Sequence, residues 1–138
     1  MPSTTAWTAP SRCRLRKRQP PVDARVLRDL EKLGGPHFVD DIIAQFTADA
    51  SRLLPELSAS ADMADVSMFR DHIHALRSCA GNVGAVGLYK LCLAAHNIGP
   101  RELIGDGGGY VARLKSEFER AVVALDEHEW RALESVPL

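Results

Sequence analysis

Apolar residues recur along this chain at spacings of three and four, the period of one face of an α-helix. Five stretches carry the pattern, separated by short polar, glycine or proline segments. Their apolar positions are, in order, Val26, Leu30 and Leu33; Phe38, Ile42, Phe46, Leu53 and Leu57; Phe69, Ile73, Leu76 and Ala80; Leu88, Leu91, Ala95 and Ile98; and Val111, Leu114, Phe118, Val122 and Leu125. No stretch alternates convincingly with a period of two, so the sequence predicts helices and no sheet.

Capping residues, glycines and prolines set the predicted helix boundaries. A short first helix begins at Asp23 and ends at Gly34, and Pro36 opens a second helix. Pro55 is expected to kink that second helix or end it early. The second helix is predicted to end near residue 58. The three later helices are predicted at residues 66–80, 87–104 and 110–133, with a loop over 105–109.

A short helix followed by four longer antiparallel helices indicates an all-α fold, an antiparallel four-helix bundle with a short additional N-terminal helix. We assign residues 22–133 to the bundle, residues 1–21 to a disordered basic linker and residues 134–138 to a tail. The 138 residues suit one domain. Because aromatic residues make up only 6% of the chain, the core is expected to be aliphatic.

Charge is unevenly distributed along the chain. Residues 1–22 hold five basic residues and no acidic one, which leaves 12 basic and 18 acidic residues in the remainder. A basic segment can bind nucleic acid or a membrane, or it can be a solvated linker from a preceding domain. No aromatic residue is interleaved with the arginines to stack on bases, which favours the linker. We therefore predict no nucleic-acid partner.

Cysteine usage and hydropathy indicate a soluble, cytoplasmic protein. The three cysteines form no CxxC or Cys/His spacing, which favours reduced thiols. No apolar run approaches the roughly 20 residues of a membrane helix, so we predict that this chain makes no membrane contact itself. The first ten residues lack the features of a signal peptide.

One histidine in the third predicted helix is expected to face outward. His74 lies about 120° from the centre of the apolar row on a helical wheel. Arg70, Arg77, Ser78 and Gly81 share or border its face, because residues three and four apart are neighbours. The arginines suit an anion, and the small residues allow the backbone of another protein to approach closely.

This stretch resembles the signature of histidine-containing phosphotransfer (HPt) domains, which reads His-x-Leu-Lys-Gly, about five small or apolar residues, and Gly. His74 falls on the phospho-accepting histidine, Leu76 on the buried leucine and Gly84 on the closing glycine. Arg77 replaces the usual lysine, which keeps the positive charge but not the compact ammonium group. Ser78 replaces the glycine that clears space for a partner.

The resemblance covers residues 22 to about 128 and implies a module of a two-component phosphorelay. It implies that His74 accepts a phosphoryl group from the aspartate of a receiver domain and passes it to another receiver. The module would not be an enzyme on its own and would need no cofactor, since the receiver supplies Mg²⁺. By counting from Gly84, His96 falls where the family places a polar residue near the acceptor imidazole. His96 either hydrogen-bonds the His74 ring or is an exposed residue that takes no part in the chemistry.

Two segments, 22–46 and 81–99, also resemble the C-terminal HPt module of bacterial hybrid sensor kinases of the diffusible-signal-factor quorum-sensing type. This implies a second partner, a signal synthase of the enoyl-CoA hydratase (crotonase) type. Any anchor in the inner membrane would belong to the longer kinase. The rival hypothesis is a docking module that sequesters such a partner without using His74 chemistry.

Other chemistries lack their required residues. His72 and His74 differ by about 200° in direction, so one helix cannot present both to a single zinc ion. A zinc site of His74, His96 and a cysteine is the weaker alternative, and we predict no metal site. Cys79 and Cys92 have apolar neighbours and are expected to pack as small hydrophobic residues. No GxSxG, Walker or kinase glycine motif is present.

Overall fold

A computed structural model describes residues 20–126 and Trp130, and in this part of the chain all regular structure is helical. The four helices are α1 (Ala24–Asp62), α2 (Val66–Val83), α3 (Val86–Ala95) and α4 (Pro100–Asp126). The predicted all-α fold class is confirmed. The predicted linker, except for its last two residues, and the predicted tail lie outside the described residues. None of the described helices has both the length and the apolar character needed to cross a bilayer.

Helix α1 is divided by a break at Gly35. The φ of this residue is 86° and its ψ is 177°, a conformation that glycine adopts without steric cost. Pro36 follows as the first residue of the renewed helix. The predicted short N-terminal helix and long second helix are therefore both present. Leu33 was expected on the buried row but is 81% exposed, because the short helix packs through Ala24 and Leu27 near its start.

The sequence suggested that Pro55 could end α1 early, but α1 continues past it. The backbone stays helical through this residue to Asp62. Proline in a helix interior costs about 3 kcal/mol because it removes one hydrogen bond and crowds the preceding turn. Leu53, Leu54 and Leu57 are all buried around it. Burying one such side chain contributes about 1.5–3 kcal/mol, so the three together outweigh the cost.

The predicted boundary between the last two helices is wrong. Helix α3 ends at Ala95, and residues 105–109, predicted to be a loop, lie inside α4. The local start signal is at Gly99, which precedes Pro100 and whose backbone N–H donates to Glu102 Oε1 at 3.1 Å. This is the reciprocal half of a capping box, with proline at the first helical position.

Packing keeps the glycine-rich part of α4 helical. Leu103, Gly107 and Leu114 are buried at helical spacing. A Cβ on Gly107 would lie 3.2 Å from the Cβ of Ala61, so the absence of a side chain lets α4 approach α1 closely. Burial of this row offsets the low helix propensity of the glycines.

The helices form a closed antiparallel bundle in which α1 packs on α2 and α4, and α3 packs on α2 and α4. The rings of Phe46 and Phe118, with centroids 5.7 Å apart, join α1 to α4. The core is mainly aliphatic, as predicted, and Phe69 and Trp130 are the largest side chains fully buried in it.

The end of α2 is locked to the start of α1 through Gly84. This residue has φ 70°, and the N–H of Ala85 donates to the carbonyl of Ala80 at 2.9 Å, which satisfies the end of the helix. The carbonyl of Gly84 accepts a hydrogen bond from the N–H of Asp23, the cap of α1, at 2.7 Å. A Cβ on Gly84 would lie 2.9 Å from Val26 Cβ.

We therefore expect Gly84→Ala to lower the free energy of unfolding by about 1–3 kcal/mol, through backbone strain and the clash with Val26. Urea denaturation followed by circular dichroism measures the change. Gly105→Ala is the matched control: a Cβ there has nothing within 4 Å, so it should gain up to about 1 kcal/mol of helix propensity. Equal stability of the two variants would contradict the prediction.

Candidate functional site

The rotation of α2 about its axis places the two neighbouring histidines on different sides. Asp65 caps the helix by accepting the N–H of Met68 at 3.1 Å, and the predicted row from Phe69 to Ala80 is fully buried. His74 is consequently exposed. The side chain of His72 is 19% exposed, and its Nδ1 lies 3.7 Å from Glu56 Oε1 on α1. The outward direction predicted for His74 is confirmed, and the two histidines point in different directions, as predicted.

Arg77 contacts the His74 ring directly. Its Nη2 lies 3.1 Å from His74 Nδ1, one turn further along α2. The guanidinium is always protonated, so this contact puts a permanent positive charge beside an exposed imidazole. Such a pair can hold an anionic group next to a nitrogen nucleophile.

Arg70 has a different environment from the one suggested by its place on the helical wheel. It donates through Nε and Nη2, at 3.1 and 2.8 Å, to the carbonyl of Ile98. Two donors on one carbonyl tie α2 to the connection between α3 and α4. The contact is structural, and a role for Arg70 beside a phosphoryl group stays a prediction.

Ser78 and Gly81 are both exposed on the same side as His74. The helix continues to Val83 and is ended by Gly84, so helix termination does not require a glycine at position 81. A Cβ there would lie 3.6 Å from Cε2 of the Tyr89 ring, an ordinary contact. Alanine would therefore fit at this position. With glycine, no side chain covers the α2 backbone on this side, so the backbone is accessible.

Tyr89 and Leu93 on α3 extend this surface and were not singled out by the sequence. They are 37% and 46% exposed, and they lie four residues apart on one side of the helix. The available signal was a second apolar row on α3, beside the buried row of Leu88, Cys92 and Ala95. We define the acceptor face by its six residues: His74, Arg77, Ser78, Gly81, Tyr89 and Leu93.

His96 lies at the end of α3 and is exposed. Its backbone N–H donates to the carbonyl of Leu93 at 3.3 Å. The hydrogen bond to the His74 ring comes from Arg77. The predicted contact of His96 with that ring therefore stays a prediction.

The two cysteines of the described chain differ in burial. Cys92 is completely buried, as expected, and burial raises the pKa of its thiol to about 12. Cys79 is half-buried with Sγ 4.0 Å from Asp49 Oδ2. Burial and, to a smaller degree, that carboxylate raise the pKa of Cys79 as well. Within residues 20–126 and Trp130, no group of three or more His, Cys, Asp or Glu side chains is placed to hold a metal ion.

These pKa values predict slow alkylation of Cys92. At pH 8 a thiol with a pKa of about 12 is ionised roughly a thousandfold less than an ordinary cysteine, and the thiolate is the reactive form. Iodoacetamide should therefore modify Cys92 at least about 10³-fold faster in urea than in the native protein, because burial also blocks access. Peptide mass spectrometry measures both rates, and similar values would contradict the burial of Cys92.

Comparison with known proteins agrees with this geometry. The chain is 29% identical over 69 residues to histidine-containing phosphotransfer protein 1 of Arabidopsis thaliana; the match covers 49% of this chain and 45% of that protein. The fold is similar to the crystal structure of histidine-containing phosphotransfer protein B (HptB) from Pseudomonas aeruginosa PAO1. The TM-score is 0.73 at 21% identity, over 81% of this chain and 96% of the other.

The family assignment rests on a longer match. The profile of the Hpt domain covers residues 41–127, which is more than half of the chain and includes all of α2 and α3. The chain therefore belongs to the Hpt domain family, a family of phosphotransfer modules rather than of classical enzymes.

Proposed function

We propose that this chain is a histidine phosphotransfer module of a two-component phosphorelay. In this proposal His74 accepts a phosphoryl group from the aspartate of a receiver domain and later passes it to another receiver. The observation that carries the proposal is the exposed His74 imidazole with Arg77 at 3.1 Å, in a chain of the Hpt family.

The chemistry requires little from the chain beyond position and charge. A lone pair on the imidazole attacks phosphorus, an N–P bond forms, and the P–O bond to the aspartate breaks with its electrons leaving on the carboxylate. Phosphoryl transfer depends on in-line positioning and on stabilisation of the charged oxygens. In this scheme the receiver brings the aspartate and Mg²⁺, so the chain needs no cofactor of its own. It contributes the nucleophile and the cation of Arg77, with Arg70 and His96 as further candidates.

The rest of the acceptor face suits docking of a receiver. Tyr89 and Leu93 present exposed apolar surface, and aromatic and apolar side chains are typical of interface cores. Ser78 and Gly81 leave the backbone around His74 accessible. A partner can therefore approach closely enough to place its phosphoryl group in line with the imidazole.

The sequence resemblance supports a more specific setting as part of the same proposal. The chain would be the C-terminal module of a hybrid sensor kinase in quorum sensing, with a crotonase-type signal synthase as a second partner. The exposed apolar residues Tyr89 and Leu93 also favour the alternative of a docking module, in which this face binds the synthase and His74 stays unmodified.

Incubation with a ³²P-phosphorylated receiver domain in the presence of Mg²⁺ tests the proposal. Label should appear on this chain within minutes and should be labile in acid and stable in alkali, as a phosphoramidate is. Binding of the receiver without transfer of label would favour the docking alternative. Transfer of label to a second, unphosphorylated receiver tests the return step.

A further inference from the structure

We propose that Arg77 holds His74 in a resting arrangement in which neither ring nitrogen can attack phosphorus, and that an arriving phosphoryl group releases it. The inference rests on the proposed function, since it concerns the reactivity of the same imidazole. It assigns Arg77 a positioning role before the reaction, in addition to charge stabilisation during it.

The contact fixes where the imidazole proton lies. A guanidinium has only donors, so His74 Nδ1, 3.1 Å from Arg77 Nη2, must be the acceptor. A neutral imidazole carries a single N–H, which is then on Nε2. A doubly protonated ring could not form this contact at all. The resting ring is therefore neutral, with its one available lone pair directed at Arg77.

Both possible nucleophiles are blocked in this arrangement. Nδ1 has its lone pair engaged by the guanidinium. Nε2 carries the proton and can attack only after that proton has moved to Nδ1. An N–H on Nδ1 would face the N–H groups of Arg77, so the contact must break first. Reaction through either nitrogen thus requires Arg77 to leave the ring.

A phosphoryl group is a better partner for Arg77 than the imidazole is. Its oxygens are anionic and can accept two parallel hydrogen bonds from one guanidinium, whereas Nδ1 is a single neutral acceptor. When a receiver docks, Arg77 moves onto the phosphoryl oxygens and frees the ring. The lone pair of Nδ1, or that of Nε2 once its proton has moved to the freed Nδ1, then forms the N–P bond, while the aspartate carboxylate leaves with the electrons of the P–O bond. The His74 ring therefore becomes reactive at the moment when the phosphoryl group binds Arg77.

Arg77 can affect the reaction in two ways, by holding the His74 ring and by attracting the anionic phosphoryl group. An uncharged electrophile reports only the first, because it is not attracted by the charge of Arg77. Diethyl pyrocarbonate acylates the lone pair of neutral imidazole, and at pH 8 imidazoles are ordinarily neutral. Arg77→Met keeps an unbranched, flexible side chain and removes both the charge and the hydrogen-bond donors. His74 should react about two- to fivefold faster in this variant, the effect expected for loss of one exposed hydrogen bond. The exposed His37 on α1 is the internal reference and should react at an unchanged rate.

Two further measurements complete the test. Transfer from a phosphorylated receiver should fall in Arg77→Met while acylation rises, and a merely structural role would not move the two rates in opposite directions. In the wild-type protein, long-range ¹H–¹⁵N spectra should show a protonated Nε2 and a bare Nδ1 on His74. This requires no variant to fold.

An unchanged or slower acylation rate in Arg77→Met would overturn the inference, as would a predominant Nδ1–H form in the wild type. Neither result depends on phosphotransfer. Failure of the proposed function would appear separately, as label persisting in His74→Gln.

Discussion

Replacing His74 with glutamine is expected to reduce phosphotransfer from a receiver below detection. Glutamine keeps the size and polarity of the side chain but has no nucleophilic nitrogen. His74 is exposed, and its side-chain hydrogen bond is to the half-buried Arg77 on the same helix, so the free energy of unfolding should change by less than about 0.5 kcal/mol. Acid-labile label on the chain after incubation with a phosphorylated receiver measures the loss.

His72→Gln is the matched control two residues away. This histidine lies against α1 near Glu56 and does not share the exposed side of His74. The variant should keep most of the acceptor activity, with at most a small loss of stability from the Glu56 contact. If His74→Gln retained the label and His72→Gln lost it, the assignment of the acceptor would be wrong.

Ser78→Arg should lower the rate of transfer from a receiver by one or more orders of magnitude. Ser78 lies one turn from His74 on the acceptor face, where a long side chain would occupy the space needed by a docking partner. Blocking the centre of an interface costs about 2 kcal/mol or more. The helix itself should tolerate the change, because the position is exposed and arginine has a high helix propensity.

Ser58→Arg provides the same substitution at another site. Ser58 is an exposed residue of α1 and lines the groove between α1 and α4 with Pro55 and Phe118, on helices that carry no residue of the acceptor face. Its rate of transfer should match that of the wild type. A small phosphodonor such as phosphoramidate needs no docking surface, so it should label Ser78→Arg nearly normally. Equal receiver rates for Ser78→Arg and Ser58→Arg would mean that the partner approaches elsewhere.

Strong periodic signals in the sequence were sufficient for the elements that hold the candidate site. The row of Phe69, Ile73 and Leu76 specified both the existence of α2 and its rotation, so the outward direction of His74 followed without tertiary information. The break before Pro36 was also predictable, because glycine and proline act locally. These features depend on near neighbours along the chain.

Features that depend on contacts between helices could not be read from the sequence. The glycines at 105–109 resemble a loop by propensity, and their helical state follows from the close approach of Gly107 to Ala61, a residue distant in sequence. The contact of Arg70 with Ile98 likewise needs α2 to meet the connection between α3 and α4. Tyr89 joins the acceptor face only because α3 packs beside Gly81.

The glycines of α4 have a further consequence for how the bundle opens. Gly105, Gly108 and Gly109 have no side chain, and a Cβ added to any of them would meet nothing within 4 Å. Each weakens the helix by about 1 kcal/mol relative to alanine, so the beginning of α4 should open locally at a lower free energy than the whole domain unfolds. Amide hydrogen exchange should be fast there and slow toward Leu125. Through Ile98, Arg70 connects the helix that bears His74 to the segment directly before this part of α4, which is expected to exchange first.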